Sequence, residues 1–315
     1  KKLQEYYVEK KKLAIFRIYG GLGNQIFQYA YGRSLSLSSK KKLVLDLGFY
    51  KNSLVDYKTY KGAPSKYMLN YFNISKEIIL LRNCYTHSYA FYKYFLEYMP
   101  NFIKKFFFNT YKFKIQSFIF EKVLFKKPTK DLETYESEFT YYLGYWQSIK
   151  YFTEIEKTLK KDLLIKNIRP VVKNFIKSIK SNVVAIHVRG GDSLIDNKTP
   201  LPKTNYYYKI IKKLKNEVSN LECHFFSNDP IYLEQIINSL DIKNYKIISE
   251  SNRFKDFEEF TIMQHYRYLV ITNSTFSWWA GWLAKKPGCK IYAPKKWFDN
   301  KNFPKELMYK NLYLI

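Results

Sequence analysis

The sequence has no run of eighteen apolar residues, few histidines and few cysteines, and each scarcity excludes a class of protein. Without such a run, no segment is expected to span a bilayer. Three widely spaced cysteines (Cys84, Cys223 and Cys289) form no CxxC pair, which predicts free thiols in a reducing, cytoplasmic compartment. Four histidines and the lack of an HExxH motif predict that there is no metal site. The N-terminal segment KKLQEYYVEKKK also lacks the apolar core of a signal peptide.

Acidic residues are scarce as well, with 27 Asp plus Glu against 54 Lys plus Arg and a formal net charge of +27. Such a charge attracts nucleic acid, acidic lipid headgroups or acidic polymers. Lysine, tyrosine, phenylalanine, asparagine and isoleucine are all abundant, so compositional drift explains most of the excess. Residues 91–130 interleave aromatic residues with lysines. We interpret them first as a helical insertion whose rings fill the core, second as a helix on an anionic membrane surface, and last as a nucleic-acid site.

The chain of 315 residues exceeds one typical domain, and its pattern changes near residue 166. An apolar strand (LAIFRIY), a glycine turn, a helix near 24–38 and a strand (LVLD) open the first half, and a helix-rich middle follows. From residue 181, helical segments alternate with apolar strands: NVVAIHV, CHFFSND, YKIIS, YLVIT and CKIYAP. This order predicts a doubly wound parallel sheet, whose ligands bind beyond the carboxyl ends of its strands. We expect two α/β domains.

The glycine turn GGLGNQ at 20–25 indicates a ligand that approaches the backbone closely, because Gly21 and Gly23 carry no side chain. A dinucleotide fingerprint would need glycine or alanine at the position of Ile26, although Asp46 would suit its ribose-binding acid. No Lys-Ser/Thr pair follows the turn, as a Walker phosphate loop requires. A nicotinamide cofactor and a Walker loop are therefore not expected.

Two later motifs suit an anionic ligand. Arg189 follows a strand that ends at His187 and Val188, and two glycines come next, so a guanidinium and backbone amides can hold phosphate together. Asp192 can brace that turn; the structural alternatives are an ion pair for Arg189 and a core position for His187. In NSTFSWW, hydroxyls and amides precede a helix, and a helix N-terminus binds anions. Its tryptophans are expected to pack in the core: Trp278, Trp279 and Trp282.

Together these motifs resemble those of glycosyltransferase family eleven, the α-1,2-fucosyltransferases of bacterial type. The matching segments are GGLGNQIFQYA (20–30), GYWQSIKYF (144–152), HVRGGD (187–192), FSNDP (226–230) and NSTFSWW (273–279). The resemblance implies a GT-B fold of two Rossmann-like domains facing a central cleft. The acceptor-side domain would span 1–165, with the insertion near 91–130, and the donor domain would span 166–315.

The resemblance also implies an activity: inverting, metal-independent transfer of L-fucose from GDP-fucose to the 2-hydroxyl of a terminal galactose. The acceptor would be an oligosaccharide or lipid-linked glycan of lipopolysaccharide or O-antigen biosynthesis, and no cofactor is needed. Catalytic roles are implied for Arg189, which would neutralise the donor diphosphate, and for Asn24 and Asp192. The donor-binding residues implied are Gly21, Gly23, Asn24, Gln25, His187, Arg189, Ser227, Asp229, Asn273, Ser274, Thr275, Phe276 and Ser277. The general base is not assigned, and Asp192 is a candidate by proximity.

Two positions depart from the family pattern. Gly190 stands where a second arginine is usual, and Asn228 stands where an aspartate is common. If that arginine binds the diphosphate, Gly190→Arg is expected to tighten GDP binding unless the backbone requires glycine. The alternatives to fucose transfer are another GDP-sugar transferase with a different acceptor and a basic nucleic-acid-binding protein. The enzyme interpretation predicts peripheral association with an anionic membrane and no nucleic-acid partner.

Overall fold

A computed structural model describes residues 12–39, 41–51, 66–81, 117–120, 139–191, 201–249, 253–297 and 301–315. The chain divides into an N-terminal unit, Lys1–Leu164, and a C-terminal unit, Ile165–Ile315. The division falls one residue before the boundary expected from the sequence. In each unit the described strands form one parallel sheet, which confirms the α/β class.

The sheet of the N-terminal unit has the order β3-β2-β1-β5-β4 in the described residues. From β1 in the centre the chain moves outward to β2 and β3 and then returns on the other side of β1. The topological switch point therefore lies between β1 and β5, where ligands bind in sheets of this kind. The strands are β1 (Leu13–Arg17), β2 (Lys42–Asp46), β3 (Ile79–Leu81), β4 (Ser117–Phe120) and β5 (Phe139–Leu143).

Helix α1 packs closely on this sheet. A Cβ atom at Gly32 would lie 2.7 Å from Leu43 Cδ1 and 3.1 Å from Phe16 Cδ2. The close helix–sheet approach thus occurs at Gly32 and not at Ile26, where a dinucleotide fingerprint would place it. The described residues of this unit contain the helices α1 (Leu22–Ser39), α2 (Gly48–Lys51) and α3 (Glu156–Asp162), with 3₁₀ turns at Leu69–Tyr71, Ile149–Tyr151 and Thr153–Ile155.

The expectation of a helix-rich middle is wrong for three segments, which form β3, β4 and β5. A helical insertion near 91–130 is likewise wrong at Ser117–Phe120, whose backbone pairs with β5 from Ser117↔Thr140 to Phe120↔Leu143. These segments are three to five residues long, too short to reveal a strand period, and aromatic and β-branched residues favour strands. The rest of 91–130, with its membrane and nucleic-acid interpretations, lies outside the described residues.

The sheet of the C-terminal unit has the order β11-β10-β9-β6-β7-β8 in the described part of the chain. Its switch point lies between β6 and β9, because the chain leaves β6 towards β7 and returns on the other side. The strands are β6 (Val183–Val188), β7 (Glu222–Ser227), β8 (Tyr245–Ile247), β9 (Tyr268–Val270), β10 (Lys290–Ala293) and β11 (Leu312–Leu314). The first five follow the sequence prediction, whereas β11 was not predicted.

The helices of this unit alternate with its strands, as the βαβα pattern predicts. Pro170 is the first residue of α4, where its missing N–H is not needed. The helices are α4 (Pro170–Ser178), α5 (Thr204–Glu217), α6 (Pro230–Asn238), α7 (Asp256–Met263) and α8 (Thr275–Trp282), and a 3₁₀ turn spans Lys305–Leu307. No helix in the described ranges is long and apolar enough to cross a membrane.

Candidate active site

The polar motifs of the C-terminal unit meet at the switch point of its sheet. Strand β6 pairs with β7 up to Val188↔Ser227 and with β9 up to Ile186↔Val270. The loops that follow these three strands therefore lie side by side at the carboxyl edge. They carry Arg189, the Ser227–Asp229 segment and the Asn273–Ser277 segment, so the fold brings together three segments far apart in the chain.

The loop that carries Arg189 is held by the loop after β7. The backbone N–H of Gly190 donates to Asn228 Oδ1 at 3.1 Å, and the N–H of Gly191 donates to Asp229 Oδ2 at 2.8 Å. The other carboxylate oxygen of Asp229 caps α6 by accepting from the backbone N–H of Tyr232 at 3.0 Å. Asn228, the second departure from the family pattern, thus braces the backbone next to Arg189.

Gly190 is required by close packing against Asp229. A Cβ atom at Gly190 would lie 2.5 Å from Asp229 Cβ and 2.7 Å from its Oδ2. Any side chain here would push away the carboxylate that holds Gly191 and caps α6. Gly191 itself has a positive φ of 60°, which also favours glycine. The expectation that Gly190→Arg tightens GDP binding is therefore opposed by the structure.

His187 is buried at the end of β6 and is a neutral imidazole. Its Nδ1 lies 3.2 Å from Thr272 Oγ1, and its ring centroid lies 5.7 Å from that of Phe276. Burial, with the nearby Arg189 charge, lowers the pKa of His187 to about 3. The imidazole therefore adds no positive charge and is a poor base at neutral pH. His187 ties β6 to the loop after β9. It is thus a core residue that also lies beside the candidate site.

Helix α8 directs its N-terminus towards the carboxyl edge. Ser274 is the N-cap residue, and no acidic residue lies in the first turn, so the helix dipole there is not neutralised by the helix itself. The first backbone N–H groups of a helix lack intrahelical acceptors and point outward. Side chains hold this segment in place: Asn273 Nδ2 donates to Trp297 O at 2.8 Å, and Ser277 Oγ donates to Ser274 O at 3.3 Å.

The tryptophans of α8 face the protein interior. Trp278 and Trp279 are fully buried, and Trp278 Nε1 donates to Leu307 O at 3.0 Å. Trp282 is half-buried, with its ring 5.1 Å from that of Trp279. The core position predicted for Trp278 and Trp279 is confirmed. At the start of α8, Ser274 and Ser277 are buried and Thr275 and Phe276 are half-buried, and ligand binding by these four residues remains a prediction.

A half-buried carboxyl group, that of Glu259, supports the loop after β7. Ser227 N donates to Ser249 Oγ at 3.1 Å, and that hydroxyl donates to Glu259 Oε2 at 2.8 Å. Burial, with the neighbouring Asp256, raises the pKa of Glu259 to about 7. Glu259 therefore titrates near neutral pH beside the candidate donor site.

The glycine turn of the N-terminal unit is built around the carbonyl of Gly20, which has a positive φ of 78°. Gln25 Nε2 donates to Gly20 O at 3.0 Å, and Tyr50 OH donates to the same oxygen at 2.9 Å. Gln25 also donates to Lys66 O and accepts from Met68 N, and it is fully buried. Its described contacts are thus all with backbone groups, and a donor-binding role for Gln25 remains a prediction.

The other glycines of this motif differ in their surroundings. Gly21 is exposed, and within the described ranges no atom beyond its chain neighbours lies within 4 Å of the position that its Cβ would take. Gly23 is buried in the first turn of α1. Asn24 is half-buried, and Gln147 Nε2 donates to its Oδ1 at 3.0 Å. Of this motif, Gly21 and Asn24 are the predicted residues that solvent or a ligand reaches.

Asp46 has no ribose-binding role in this fold. Both of its oxygens are engaged, because Tyr141 OH donates to Oδ2 at 2.6 Å and Gly48 N donates to Oδ1 at 2.9 Å. Asp46 is fully buried at the end of β2. The carboxylate therefore ties the end of β2 to the middle of β5, in agreement with the incomplete dinucleotide fingerprint.

One predicted residue, Asp192, lies outside the described residues. In the described ranges no cluster of three His, Cys, Asp or Glu side chains is arranged to hold a metal ion. Cys223 and Cys289 are both buried thiols, and Cys84 also lies outside these ranges. Metal independence remains a prediction.

Two hydrogen bonds that hold loops at the candidate sites could not be predicted from the sequence. Gly190 N donates to the Asn228 side chain, and the Gln147 side chain donates to that of Asn24. Gln147 lies in the recognised GYWQSIKYF segment, where no role was assigned to it. The available signal was its position four residues after the end of β5, the strand that pairs with β1. This position points to Asn24 only once the strand order shows that β5 lies next to β1.

The architecture of two parallel-sheet α/β units is that of the GT-B fold. The chain belongs to glycosyl transferase family 11, whose family model matches residues 14–314. The enzyme is therefore a glycosyltransferase, and the family expected from the motifs is confirmed.

Two relatives come from Escherichia coli. An alpha-1,2-colitosyltransferase is 29% identical over 300 residues, covering 91% of this chain and 93% of that protein. The O-antigen biosynthesis glycosyltransferase WbnK is 25% identical over 312 residues, covering 92% and 96%. The fold resembles that of an Arabidopsis thaliana FUT1 mutant in complex with GDP, with a TM-score of 0.51, 12% identity and coverage of 94% of this chain and 76% of that one.

Proposed function

We propose that this glycosyltransferase transfers L-fucose from GDP-fucose to the 2-hydroxyl of a terminal galactose on a glycan, with inversion and without a metal ion. The observation that carries the proposal is Arg189 at the β6/β9 switch point, beside the N-terminus of α8. A guanidinium and a helix N-terminus are together a suitable receptor for a diphosphate. The motif resemblance supports GDP-fucose, and the Arabidopsis FUT1 structure contains GDP.

In this mechanism the chain lowers the barrier chiefly by stabilising the leaving GDP. As the bond from fucose to the β-phosphate breaks, negative charge grows on the phosphate oxygens. The fixed Arg189 charge and the amides of residues 275–277 meet that charge without reorganising, and in many enzymes such stabilisation contributes more to the rate than any other effect. The acceptor 2-hydroxyl attacks the opposite face of the fucose, so the β-linked donor gives an α-linked product.

Proton removal from the acceptor needs a base other than His187. A group with a pKa of about 3 accepts a proton too weakly at neutral pH to fill that role. His187 instead holds Thr272 and thereby the entry into α8. Asp192 remains the candidate base, and a catalytic role remains proposed for Asn24.

A second candidate is transfer of colitose, favoured by the 29% identical alpha-1,2-colitosyltransferase. Both candidates form an α-1,2 linkage, and we propose that they use the same GDP-binding site and differ in the sugar pocket. A cytoplasmic role in lipopolysaccharide or O-antigen biosynthesis suits both, since both bacterial relatives are glycosyltransferases and one is named for O-antigen biosynthesis. We further propose a lipid-linked acceptor presented at an anionic membrane surface.

The test is turnover by the purified protein with GDP-fucose and GDP-activated colitose against a panel of β-galactosides. Release of GDP, with NMR assignment of an α-1,2-linked fucoside, is the expected result. Product formation from colitose alone would select the second candidate. Failure of every GDP-sugar, together with no thermal stabilisation by GDP, would overturn the proposed donor site.

A further inference from the structure

We propose that Glu259 is a positioning residue, which acts through Ser249 and the loop after β7 to hold the Arg189 loop in the shape that binds the donor diphosphate. The proposal rests on the function proposed above and concerns the C-terminal unit alone. Glu259 lies on α7, and the segments that it connects follow β8, β7 and β6. These strands are parallel neighbours in the sheet, so the loops after them lie side by side at one edge.

The first step of the connection joins α7 to the end of β7. Ser249 Oγ accepts from Ser227 N at 3.1 Å and donates to Glu259 Oε2 at 2.8 Å. A backbone N–H can only donate and an ionised carboxylate can only accept, so the single hydrogen of the Ser249 hydroxyl points to Glu259. The carboxyl group therefore fixes the hydroxyl that holds the last residue of β7.

The second step joins Ser227 to the loop after β6. Asp229 N donates to Ser227 Oγ at 3.0 Å, and that hydroxyl donates to Asp229 O at 3.1 Å, which closes a tight turn. The side chains of this turn hold the next loop, because Gly191 N donates to Asp229 Oδ2 and Gly190 N donates to Asn228 Oδ1. The backbone that directly follows the arginine is thus connected to α7 by hydrogen bonds.

A regular end to the β7–β8 ladder would not involve α7. Phe225 pairs with Ile247, and Ile248 N donates to Phe225 O at 2.8 Å. The next hydrogen bond of a parallel ladder would run from Ser227 N to the carbonyl of Ile248. The N–H instead donates to the Ser249 hydroxyl. A carbonyl would hold the strand end as well, whereas the hydroxyl makes its position depend on a side chain of α7.

Two adjacent glutamates of α7 have different tasks. Glu258 accepts two hydrogen bonds from Arg169, both at 2.6 Å, and so ties α7 to the start of α4. Glu259 is half-buried, and burial, with the Asp256 charge, raises its pKa to about 7, so its ionised form does not stabilise the fold. The described hydrogen bond of Glu259 is the one with Ser249. Glu258 is therefore the matched control for a purely structural glutamate.

The experiment measures GDP affinity by calorimetry and kcat/KM with GDP-fucose. Glu259→Met removes the acceptor at nearly constant size and is expected to weaken GDP binding about 3- to 30-fold, the scale of one hydrogen bond. Glu259→Gln keeps an accepting oxygen and should stay within about twofold of wild type. Glu258→Met should lower thermal stability and leave GDP affinity unchanged. An equal loss of affinity in Glu258→Met, or none in Glu259→Met, would overturn the proposal.

Ser249→Ala tests the path and covers the case in which Glu259→Met fails to fold. This variant should weaken GDP binding at least as much as Glu259→Met, because it breaks both hydrogen bonds of the hydroxyl. Combining the two changes should weaken binding no further than Ser249→Ala alone, since residues that act as a unit are not additive. Losses that multiply in the double variant would overturn the proposal.

Amide hydrogen exchange of residues 189–191 tests the positioning role without a ligand. Glu259→Met and Ser249→Ala should speed exchange of the Gly190 and Gly191 N–H groups, whereas Glu259→Gln and Glu258→Met should not. Unchanged exchange in both of the first two variants would overturn the proposal. Faster exchange in a protein whose wild type neither binds GDP nor turns over a GDP-sugar would count against the proposed function alone.

Discussion

At the residue scale, Arg189 supplies the positive charge at the switch point of the C-terminal sheet. Arg189→Ala is expected to cost about 2–4 kcal/mol of transition-state stabilisation, or about 30- to 1000-fold in kcat/KM, because it removes a charge-assisted contact with the diphosphate. Arg189→Lys should recover only part of this, since lysine lacks the bidentate geometry. Steady-state kinetics with GDP-fucose and calorimetry with GDP provide the measurement.

The control for Arg189 is Arg267→Ala, which removes an exposed arginine before β9, at the opposite edge of the same sheet. This variant should retain wild-type turnover. Near-normal activity of a folded Arg189→Ala protein would contradict the proposal that Arg189 binds the donor diphosphate.

Gly190 tests whether the loop after β6 tolerates any side chain. Gly190→Ala is expected to destabilise the protein by about 1–3 kcal/mol and to weaken GDP binding, because the new Cβ would displace the Asp229 carboxylate. Gly21→Ala is the control for stability alone, since a Cβ at Gly21 would meet no described atom beyond its chain neighbours within 4 Å. Thermal unfolding compares the two variants, and GDP calorimetry compares Gly190→Ala with wild type. Tighter GDP binding by Gly190→Ala or Gly190→Arg would show that Asp229 can move aside without loss.

The candidate residues were predictable from the sequence to different degrees. Arg189 and most of the Ser274–Ser277 segment are polar, and each follows an apolar strand. Their position at the carboxyl edge of the sheet could therefore be predicted from the sequence. Gln147 could not be assigned, because its partner Asn24 is 123 positions away and the pairing depends on β5 lying next to β1. The close contact of Gly190 with Asp229 is also a matter of tertiary packing, which no local pattern reveals.

At the element scale, helix α7 carries a group that makes stability depend on pH. Glu259 has a folded-state pKa of about 7 against 4.5 when unfolded, so its stabilising contribution is present below pH 4.5 and is lost as the pH rises to about 7. Glu259→Gln should therefore gain stability relative to wild type across that window, by about 1–3 kcal/mol at its upper end. Chemical denaturation at several pH values measures this difference.

The control variant is Glu234→Gln, which changes an exposed glutamate on α6. Its stability should run parallel to that of wild type across the same pH range. A Glu259→Gln curve that also ran parallel would mean that the carboxyl group titrates as it does in the unfolded chain.

Long helices were easier to predict from the sequence than short strands. Helices α5 and α6 carry apolar residues at helical spacing over nine to fourteen residues, and both were predicted. Strands β4 and β11 are four and three residues long and exist through pairing with β5 and β10. A segment this short has too few residues to show a period, so tertiary pairing decides its structure.

At the scale of the whole molecule, the proposed chemistry relies on fixed positive charge and helix amides instead of a metal. Turnover is therefore expected to survive extensive dialysis against EDTA. The measurement compares kcat before and after chelation and after addition of Mn²⁺ or Mg²⁺. Loss of turnover in chelator with recovery on addition of either ion would contradict the proposed role of Arg189 and α8.

The aromatic residues and lysines of residues 91–130 underlie the proposed association with a membrane surface. The protein is expected to bind vesicles that contain anionic lipid and to release them as salt rises, because exposed charges are screened beyond about 8 Å at physiological ionic strength. Flotation with anionic and neutral vesicles measures this. Equal binding to both kinds, or to neither, would count against an electrostatic contribution.

The strand order of each sheet has a consequence for biosynthesis. In each unit the earliest of the described strands to leave the ribosome, β1 or β6, becomes a central strand with a neighbour on either side. Both are fully buried in the finished protein, yet β1 acquires its second neighbour only when translation reaches Phe139, and β6 only when it reaches Tyr268. At cellular elongation rates each strand waits on the order of ten seconds with one edge open. We therefore expect the yield of active enzyme to depend on how well chaperones protect these unpaired strand edges during synthesis.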